Sequence, residues 1–277
     1  MSDNTAISEI LSGLEAGQIV PYLGPGIWAE AATPPAHPSD HLQLVAKLTE
    51  RVTVSHKLRK NLTGAAQYIE NFKHRKTLVG LMNTAFAGKA KPDELHEFIA
   101  TLHNLPLVVD AWYDDAMQQA LVKNPSWGQV QSVSQAEHLG EWARYYTAQG
   151  ELTDANAAKK WQTLLYRPLG SSNPAQNYIV SDSDYVEILT EIDIQTPIPK
   201  AVQLRRTGKN FLFLGCRFAY QLDRIFARQI TKRSSDKHWA IIEGELTKNE
   251  KQFMEELNIT HMDIPLNILI EHVMSRL

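Results

Sequence analysis

Two kinds of hydrophobic spacing alternate along the chain. Apolar residues recur every three or four positions in residues 5–16, which predicts an amphipathic helix that ends at Gly17. Short continuous apolar runs, bounded by glycine or polar residues, are instead typical of strands that are buried on both faces. Such runs predict strands at "QIVPYLG" (18–24), "LPLVVDAW" (105–112), "WQTLLYRPLG" (161–170), "NYIVS" (177–181), "NFLFLG" (210–215), "HWAIIEG" (238–244) and "ITHMD" (259–263).

Helical spacing dominates the stretch between the first two predicted strands. It runs from Ser39 to His103, and Ser39 and Asp93 are of the residue types that cap helix N-termini. We therefore predict that residues 31–104 form a helical insertion after the first strand.

In the rest of the chain, helical segments alternate with the predicted strands. The pattern predicts helices over 113–123, 134–149, 182–192, 196–208, 221–233, 247–257 and 265–277. Strands that alternate with helices of about 10 to 15 residues favour a parallel sheet with right-handed crossovers. The sequence thus predicts an α/β fold with a Rossmann-like parallel sheet, and we expect residues 1–277 to form a single domain.

Composition narrows the setting of the protein. The formal net charge of −3 and the pI near 6.4 provide no basic face for nucleic acid. The first 18 residues lack the pattern of a signal peptide, and no apolar run is long enough to cross a membrane. A single cysteine in 277 residues fits a reducing compartment. We expect a cytoplasmic protein of bacterial type, and we leave open a protein partner and an oligomer.

The cysteine and histidine residues of the chain predict no metal site. One cysteine, Cys216, excludes a cysteine-based zinc centre. His37 and His41 are four residues apart, and His96 and His103 are seven apart on helical sequence. Because no third ligand accompanies either pair, we expect these histidines at the surface or at the rim of a site.

A glycine turn follows the first predicted strand, in the stretch "QIVPYLGPGIWAEAATPP" (18–35). Ligands of open parallel sheets bind at the carboxyl ends of the strands, where glycine lets the backbone approach a phosphate. Gly24 and Gly26 suit that role, although Pro25 removes one N–H donor. A simple turn explains the same three residues equally well.

Four segments in order resemble the SIR2-like family, the sirtuin-related NAD-binding proteins. "IVPYLGPGIW" is similar to the family's strand and Gly-Ala-Gly-x-Ser loop, and "LPLVVDAWYDDAMQQAL" to its strand ending in Thr-Asn-Tyr-Asp. "LLYRPLGSSNPAQNYIVSDSDYVEIL" resembles the His-Gly segment, and "NFLFLGCRFAYQLDRIF" the strand-Gly-x-Ser-Leu segment that closes the cofactor cleft. The resemblance covers roughly residues 15–245. It implies a Rossmann-like sheet with a helical insertion and a cleft for NAD or ADP-ribose.

The resemblance also implies which positions contact the cofactor. They are the residues of the glycine turn and of the three later strand ends: Gly24, Pro25, Gly26, Ile27, Trp28, Tyr113, Asp114, Gly170, Gly215, Cys216 and Arg217. At the last of these, an arginine replaces the family's serine, and it can meet a phosphate or a carboxylate as a bidentate donor.

The departures from the family pattern fall on the positions that perform its chemistry. Trp112 stands where the family's asparagine orients water, and Leu169 precedes Gly170 where the family has its catalytic histidine. Pro25 and Trp28 replace the alanine and the small hydroxyl residue of the first loop. Leucine transfers no proton and tryptophan offers only a donor N–H, so we predict no catalytic residues at these positions. Bulky side chains there would also narrow the cleft.

Two functions remain open on this reasoning. The first is a non-catalytic nucleotide-binding protein, a sensor or partner-binding pseudoenzyme. The alternative is an NAD hydrolase of the bacterial SIR2-like defence type, in which a different alignment brings Asp110, Tyr166 or Arg167 into the chemistry. A sirtuin-like deacylase is disfavoured, because the histidine and the four zinc-binding cysteines are missing.

Four further features allow two interpretations each. Asp114 and Asp115 form an acid/base pair or, as we favour, complement a helix N-terminus. Cys216 is a nucleophile or, as we favour, a small buried thiol. The basic residues of "QLRRTGK" (203–209) hold a phosphate or belong to the last turn of a helix. The aromatic residues of 127–150 pack in the core or form an exposed partner surface.

Overall fold

Helices and strands alternate along most of the computed structural model, which describes residues 3–31, 33–194 and 198–276. Up to residue 132 the elements are α1 (Asp3–Glu15), β1 (Ile19–Leu23), α2 (His41–Thr49), α3 (Leu62–Lys73), α4 (Arg75–Ala85), α5 (Glu94–Thr101), β2 (Leu107–Asp110), α6 (Ala116–Ala120) and β3 (Trp127–Ser132). After it come β4 (Ala143–Thr147), β5 (Leu152–Thr153), β6 (Thr163–Arg167), β7 (Gly170–Ser171), β8 (Asn177–Tyr178), α7 (Asp182–Ile194), α8 (Lys200–Arg206), β9 (Asn210–Leu214), α9 (Gln221–Thr231), β10 (His238–Ile241), α10 (Lys248–Glu256), β11 (Ile259–Met262) and α11 (Leu266–Met274).

A nine-stranded sheet organises these elements in the order β11-β10-β9-β1-β2-β6-β3-β4-β5. The strands from β11 to β3 are parallel, and β4 and β5 continue the sheet in antiparallel pairing. This arrangement confirms the predicted α/β class and the Rossmann-like, mostly parallel sheet. β1 lies between β2 and β9. The chain therefore passes from β1 to β2 on one side of it and later crosses to β9 on its other side.

The two faces of the sheet carry separate apolar cores. Val20 and Tyr22 of β1 pack into one core, and Ile19 and Leu23 pack into the other. Successive side chains of a strand point to opposite faces. A strand covered on both faces therefore needs apolar residues at every position, which is why its sequence is a continuous run rather than an alternating pattern.

The regular elements confirm much of the secondary structure predicted from the sequence. Strands occur within six of the seven predicted runs as members of the main sheet, and α1 to α5 follow the predicted helical spacing. The predicted cap at Ser39 is wrong, because α2 begins one residue later and Asp40 accepts a hydrogen bond from the Gln43 amide at 2.8 Å. Asp93 caps α5 as predicted. The predictions for 196–208 and 265–277 extend partly outside the described residues.

The predicted strand "NYIVS" is wrong in part. Only Asn177–Tyr178 is extended, and it pairs with Gly170–Ser171 in a separate two-stranded ribbon instead of joining the main sheet. Gly170 is the first residue of this ribbon, and its φ of +77° favours glycine. A side chain at this position would meet the Asn177 carbonyl oxygen at 2.1 Å, so the ribbon itself requires a glycine there.

The predicted helix over 134–149 is also wrong, because residues 143–147 form β4 and pair with β3. In β3, Gln129 and Gln131 are fully buried, so its sequence lacks the apolar run that marks a buried strand. Aromatic residues pack well on a pleated surface, and those of β4 lie against the core of one face. Trp127 and Tyr146 are buried, which supports core packing over an exposed aromatic patch.

Arg205 and Arg206, at the end of α8, bind backbone carbonyl groups. Arg205 donates to the carbonyl oxygens of Pro106, Ala158, Trp161 and Gln162, and thereby joins α8 to the segments that precede β2 and β6. Arg206 donates to the carbonyls of residues 229 and 230 at the end of α9. Both guanidinium groups therefore have a structural role, and the phosphate-binding interpretation of "QLRRTGK" is not needed.

None of the described helices is long and apolar enough to cross a membrane. This agrees with the absence of a long apolar run in the sequence.

We predict that Arg205→Met lowers the free energy of unfolding by about 2–4 kcal/mol, because four carbonyl groups lose a charged donor. Methionine keeps most of the apolar stem of arginine. The exposed Arg59, changed to Met, is the matched control and should alter the free energy by less than about 0.5 kcal/mol. Urea unfolding measures both variants, and equal effects would contradict the structural role of Arg205.

Candidate functional site

A cavity of about 250 Å³ opens at the carboxyl ends of the central strands. Its walls include residues that directly follow β1, β2 and β9, together with Leu169 from the turn after β6. Ligands of open α/β sheets bind at such a place, where the chain departs to both sides of the sheet. Of the residues predicted to contact a cofactor, those on the walls are Gly24, Pro25, Gly26, Gly215, Cys216 and Arg217.

The glycine turn packs its backbone against the loop that follows β9. The Gly24 amide donates to the Leu214 carbonyl at 2.8 Å, and the Gly26 amide donates to the Gly215 carbonyl at 2.8 Å. A Cβ atom on Gly24 would lie 2.6 Å from the Gly215 oxygen, closer than such atoms approach. The glycines are therefore required for the contact between two loops.

This contact also uses the N–H groups that a phosphate would need. The Gly24 and Gly26 amides are bound as described, the Ile27 amide donates to the Gly24 carbonyl at 3.2 Å, and Pro25 has no N–H. Anion binding at the start of a helix depends on free amides that point toward the ligand. The four residues from Gly24 to Ile27 offer none.

Arg217 is held by a carboxylate of its own chain. Its guanidinium group lies 3.1 Å and 3.2 Å from the two carboxylate oxygens of the fully buried Glu250, and it also donates to the carbonyls of Glu243 and Glu245. Of the two predicted partners, a phosphate or a carboxylate, the structure shows the carboxylate. Burial raises the pKa of Glu250, but hydrogen bonds from Thr247 and the charge of Arg217 outweigh this effect and lower the pKa. Ionised Glu250 thus neutralises the guanidinium charge on the cavity wall.

Two acidic side chains line the cavity itself. Asp40 caps α2 through its Oδ1 atom. Asp223, in the first turn of α9, has no hydrogen bond or ion pair with any of the described residues. Burial raises the pKa of Asp223, and the charges of His41 and Arg224 oppose that rise only partly. The remaining walls are mostly apolar and aromatic, so the cavity combines apolar surface with negative charge.

The positions that depart from the family pattern are brought together only in part. Pro25, Leu169 and Arg217 are on the cavity wall, whereas Trp28 and Trp112 are not. The ring centroid of Trp112 lies 5.4 Å from that of the wall residue His41, and its Nε1–H is donated to the Pro38 carbonyl at 2.9 Å. Neither Leu169 nor Trp112 can take up a proton from a ligand.

Tyr113 and Gly170 are also away from the cavity walls. The Tyr113 hydroxyl donates to the Ile179 carbonyl at 2.9 Å, and burial raises its pKa. Gly170 belongs to the ribbon of β7 and β8. Cys216, which does line the cavity, has its thiol directed at the carbonyls of Tyr22 and Leu214, and burial strongly raises its pKa. It is therefore the inert thiol that we favoured over a nucleophile.

Ile27 and Trp28 face the opposite core, and Trp28 borders a second cavity of about 320 Å³. The Trp28 indole N–H donates to Asp114 at 3.3 Å, and its ring centroid lies 4.9 Å from that of His96. His96 is 2% exposed, so its predicted surface or rim position is wrong. The reason is Asp93, whose carboxylate meets the His96 Nδ1 atom at 2.6 Å and makes the burial of the imidazole tolerable.

The acidic pair at the start of α6 has a structural role, as favoured from the sequence. Asp114 accepts from the Ala116 amide at 2.8 Å. Asp115 accepts from the Ala90 amide at 2.8 Å and from the side chains of Gln119 and Asn173. These bonds join α6 to the segment before α5 and to the loop after β7.

Asp110 and Arg167 end two neighbouring strands and form a buried ion pair at 3.2 Å. Burial, opposed by the charge of Arg167, raises the pKa of Asp110 to about 6. Arg167 also donates to the carbonyls of Trp112 and Asp114, and neither member of the pair lines the cavity. Tyr166, whose pKa burial raises to about 12, contacts Ser132 on the sheet surface. The structure thus brings none of these three candidates to the cavity.

Sequence reasoning missed Asp40 and Asp223 on the cavity walls, whereas His41, also on the walls, was expected at the surface or at the rim of a site. Asp40 and Asp223 lie at helix starts, where an acid is expected for the helix alone. A signal was available for Asp223, because it belongs to the fourth family-like segment and follows Gly215 by eight residues. An acidic residue in that segment could therefore have been predicted to lie in the cleft.

The model of a family described as SIR2-like domain matches residues 106–262, more than half of the chain. The match begins just before β2 and ends with β11. It includes the second, third and fourth of the segments whose resemblance was noted in the sequence. Among curated proteins, none matches this chain.

Gly215 has a φ of +64°, and a Cβ atom there would lie 2.0 Å from the Ile27 nitrogen. We predict that Gly215→Ala lowers the free energy of unfolding by more than about 3 kcal/mol, because steric overlap with the backbone adds to the cost of the left-handed conformation. Gly208 has a φ of +70° with nothing within 4 Å of the added atom, so Gly208→Ala is a matched control that should cost about 1–2 kcal/mol. Equal losses in chemical unfolding would contradict the close contact of the loops.

Asp93→Asn tests the buried pair with His96, because asparagine also caps helices well. Asp93 raises the pKa of His96 above 6.5 against the effect of burial, and the pKa of Asp93 is lowered below 3.8. The stabilisation by His96 is full below the unfolded pKa and disappears as pH rises through the folded one, whereas that by Asp93 disappears in acid. We expect the variant to lose most stability near about pH 5.5 and little near about pH 9. A loss that does not change between these values in thermal unfolding would contradict the ion pair.

Proposed function

Because the chain belongs to the SIR2-like domain family, we propose that it is a pseudoenzyme of that family, which does not break the nicotinamide–ribose bond of NAD. Domains of this family bind NAD-related ligands. We propose that this member acts as a sensor or binds a protein partner.

One observation carries the proposal: no proton-transfer group stands at the two positions that correspond to the family's catalytic residues. Leu169 lines the cavity, and Trp112 is 2% exposed with its only polar atom bound to Pro38. General acid–base catalysis contributes about 10²- to 10⁴-fold to enzymatic rates. The loss of both groups therefore removes most of the expected turnover.

The cavity also suits NAD and ADP-ribose poorly. Its volume of about 250 Å³ lies below the range of about 300–1,000 Å³ that is usual for drug-sized ligands. A dinucleotide additionally needs donors for its pyrophosphate, but the glycine-turn amides and Arg217 are bound within the protein. We expect at most one part of either nucleotide to enter.

The alternative is an NAD hydrolase of the bacterial SIR2-like defence type. It is favoured by the presence of two titratable side chains, His41 and Asp223, on the cavity wall. Burial raises the pKa of Asp223, as is common for catalytic acids. In this alternative, Asp223 would replace the missing histidine.

Nicotinamide release from NAD distinguishes the two functions. We predict no release above the uncatalysed background, for the purified protein and for Asp223→Asn alike. Steady release that scales with protein concentration would contradict the pseudoenzyme. Its loss in Asp223→Asn would then identify the cavity as the active site.

Titration calorimetry with NAD, NADH and ADP-ribose tests the narrowed cleft separately. We expect dissociation constants above about 1 mM, or no detectable heat, because the cavity is small and lacks free donors for phosphate. Micromolar binding of NAD would contradict this part of the proposal, whether or not the ligand is hydrolysed.

A further inference from the structure

We infer that the cavity at the ends of β1 and β9 binds a small organic cation, in which an amine, amidine or guanidinium group is attached to an aromatic or compact apolar body. This inference rests on the proposed function, because it assigns a ligand class to the same cavity once NAD turnover is lost. Three features of the cavity support it: its charge, its aromatic walls and its size.

The charge on the walls favours a cation. Asp223 has no hydrogen bond or ion pair with any described residue, and Asp40 carries a second carboxylate on the same walls. The guanidinium group of Arg217 is matched by both oxygens of Glu250. Arg224, next to Asp223 in the chain, donates to the Phe218 and Ala219 carbonyls and does not pair with the carboxylate. His41, also on the wall, acts on Asp223 through its charge but forms no hydrogen bond or ion pair with that carboxylate. A cationic ligand would therefore supply a direct partner for Asp223.

The aromatic walls favour the same ligand class. Tyr22, Tyr185, Phe218, Tyr220 and Phe226 line the cavity. The faces of such rings attract cations, and their apolar surface accommodates the body of an organic ion but not a hydrated metal ion. Asp223 lines the same cavity as these rings. Burial and, to a smaller extent, the charge of Asp223 raise the pKa of the Tyr22, Tyr185 and Tyr220 hydroxyl groups.

The size of the cavity limits the ligand. An engineered apolar cavity of about 150 Å³ holds benzene. The present volume of about 250 Å³ therefore admits one ring with a short polar arm. The glycine-turn amides are bound within the protein, so nothing in the turn favours an anionic arm.

A simpler role for Asp223 is to complement the positive end of α9. An acid in the first turn serves that purpose while its carboxylate remains in water. Asp182, in the first turn of α7, is exposed in this way. Asp223 is instead half-buried and lines an aromatic cavity, where a carboxylate without a partner is less well solvated than in water. Helix stabilisation alone thus does not explain why Asp223 lies in this cavity.

Benzamidine, benzamide and benzoate provide the test, because they have nearly the same shape and carry positive, zero and negative charge. The probes are titrated into the full chain at pH 7.5 and followed by ligand-observed NMR. We expect benzamidine to bind at least about tenfold more tightly than benzamide, and benzoate not to bind at about 10 mM. Asp223→Asn should lower the affinity for benzamidine at least about tenfold and abolish its advantage over benzamide. Asp182→Asn is the matched control and should change neither.

The inference is overturned if none of the three probes binds, if benzoate binds as well as benzamidine, or if Asp223→Asn retains the preference. The charge series on the unaltered protein decides the matter even if that variant fails to fold. Failure here leaves the proposed function distinguishable, because nicotinamide release is measured independently. Absent release together with no charge preference rejects the ligand class alone, whereas steady release rejects the pseudoenzyme.

Discussion

At the centre of the sheet, the turn after β1 and the loop after β9 touch backbone to backbone. Gly24 and Gly26 permit this contact because they have no side chains, and Gly215 permits it through a left-handed conformation. The Gly24 amide then binds the carbonyl of Leu214 at the end of β9, and the Gly26 amide binds that of Gly215 in the facing loop, each at 2.8 Å. The end of β1, whose glycines would suit a phosphate, is thereby covered by the loop after β9. The cavity that remains beside this contact is small.

The arginine side chains around the site are likewise bound to groups of the protein itself. Arg217 pairs with Glu250, and Arg167 pairs with Asp110. A guanidinium group that is already paired with a carboxylate contributes little to phosphate binding, because the phosphate would first have to displace that carboxylate. Asp223, on the cavity wall, has no such partner among the residues that the structure describes. The cavity is therefore negatively charged because its guanidinium group is neutralised within the fold, whereas the Asp223 carboxylate is not.

The sequence predicted those parts of the fold whose burial leaves a simple pattern. β1, β2 and β9 are apolar at nearly every position because both faces are covered, and this pattern is visible without coordinates. β3 escaped prediction because Gln129 and Gln131 occupy fully buried positions, where Gln131 donates to the Asn173 carbonyl at 2.7 Å. A buried polar residue with a distant partner leaves no local signal. The strand character of β4 was missed with it, because its pairing depends on β3.

The candidate site was predicted in part for a related reason. The ordered segments of the resemblance led to the glycine turn, Leu169 and the Gly215 loop, which meet because parallel strands end at one edge of the sheet. Trp112 and Trp28 belong to the same segments, yet their indole N–H groups bind Pro38 and Asp114, partners that no sequence pattern specifies. Asp40 and Asp223 were missed because an acid at a helix start is ordinary. What separates Asp223 from Asp182 is the set of rings around it, which only the assembled fold provides.

The central claim is that the glycine turn is closed by the β9 loop and no longer receives a phosphate. The most direct measurement is amide hydrogen exchange and chemical shift of Gly24 and Gly26 in protein labelled with ¹⁵N-glycine, with and without ADP-ribose. The account predicts slow exchange of both amides in the free protein and no shift of either signal on addition of ADP-ribose. Rapid exchange in the free protein, followed by protection and a shift with ADP-ribose, would contradict it.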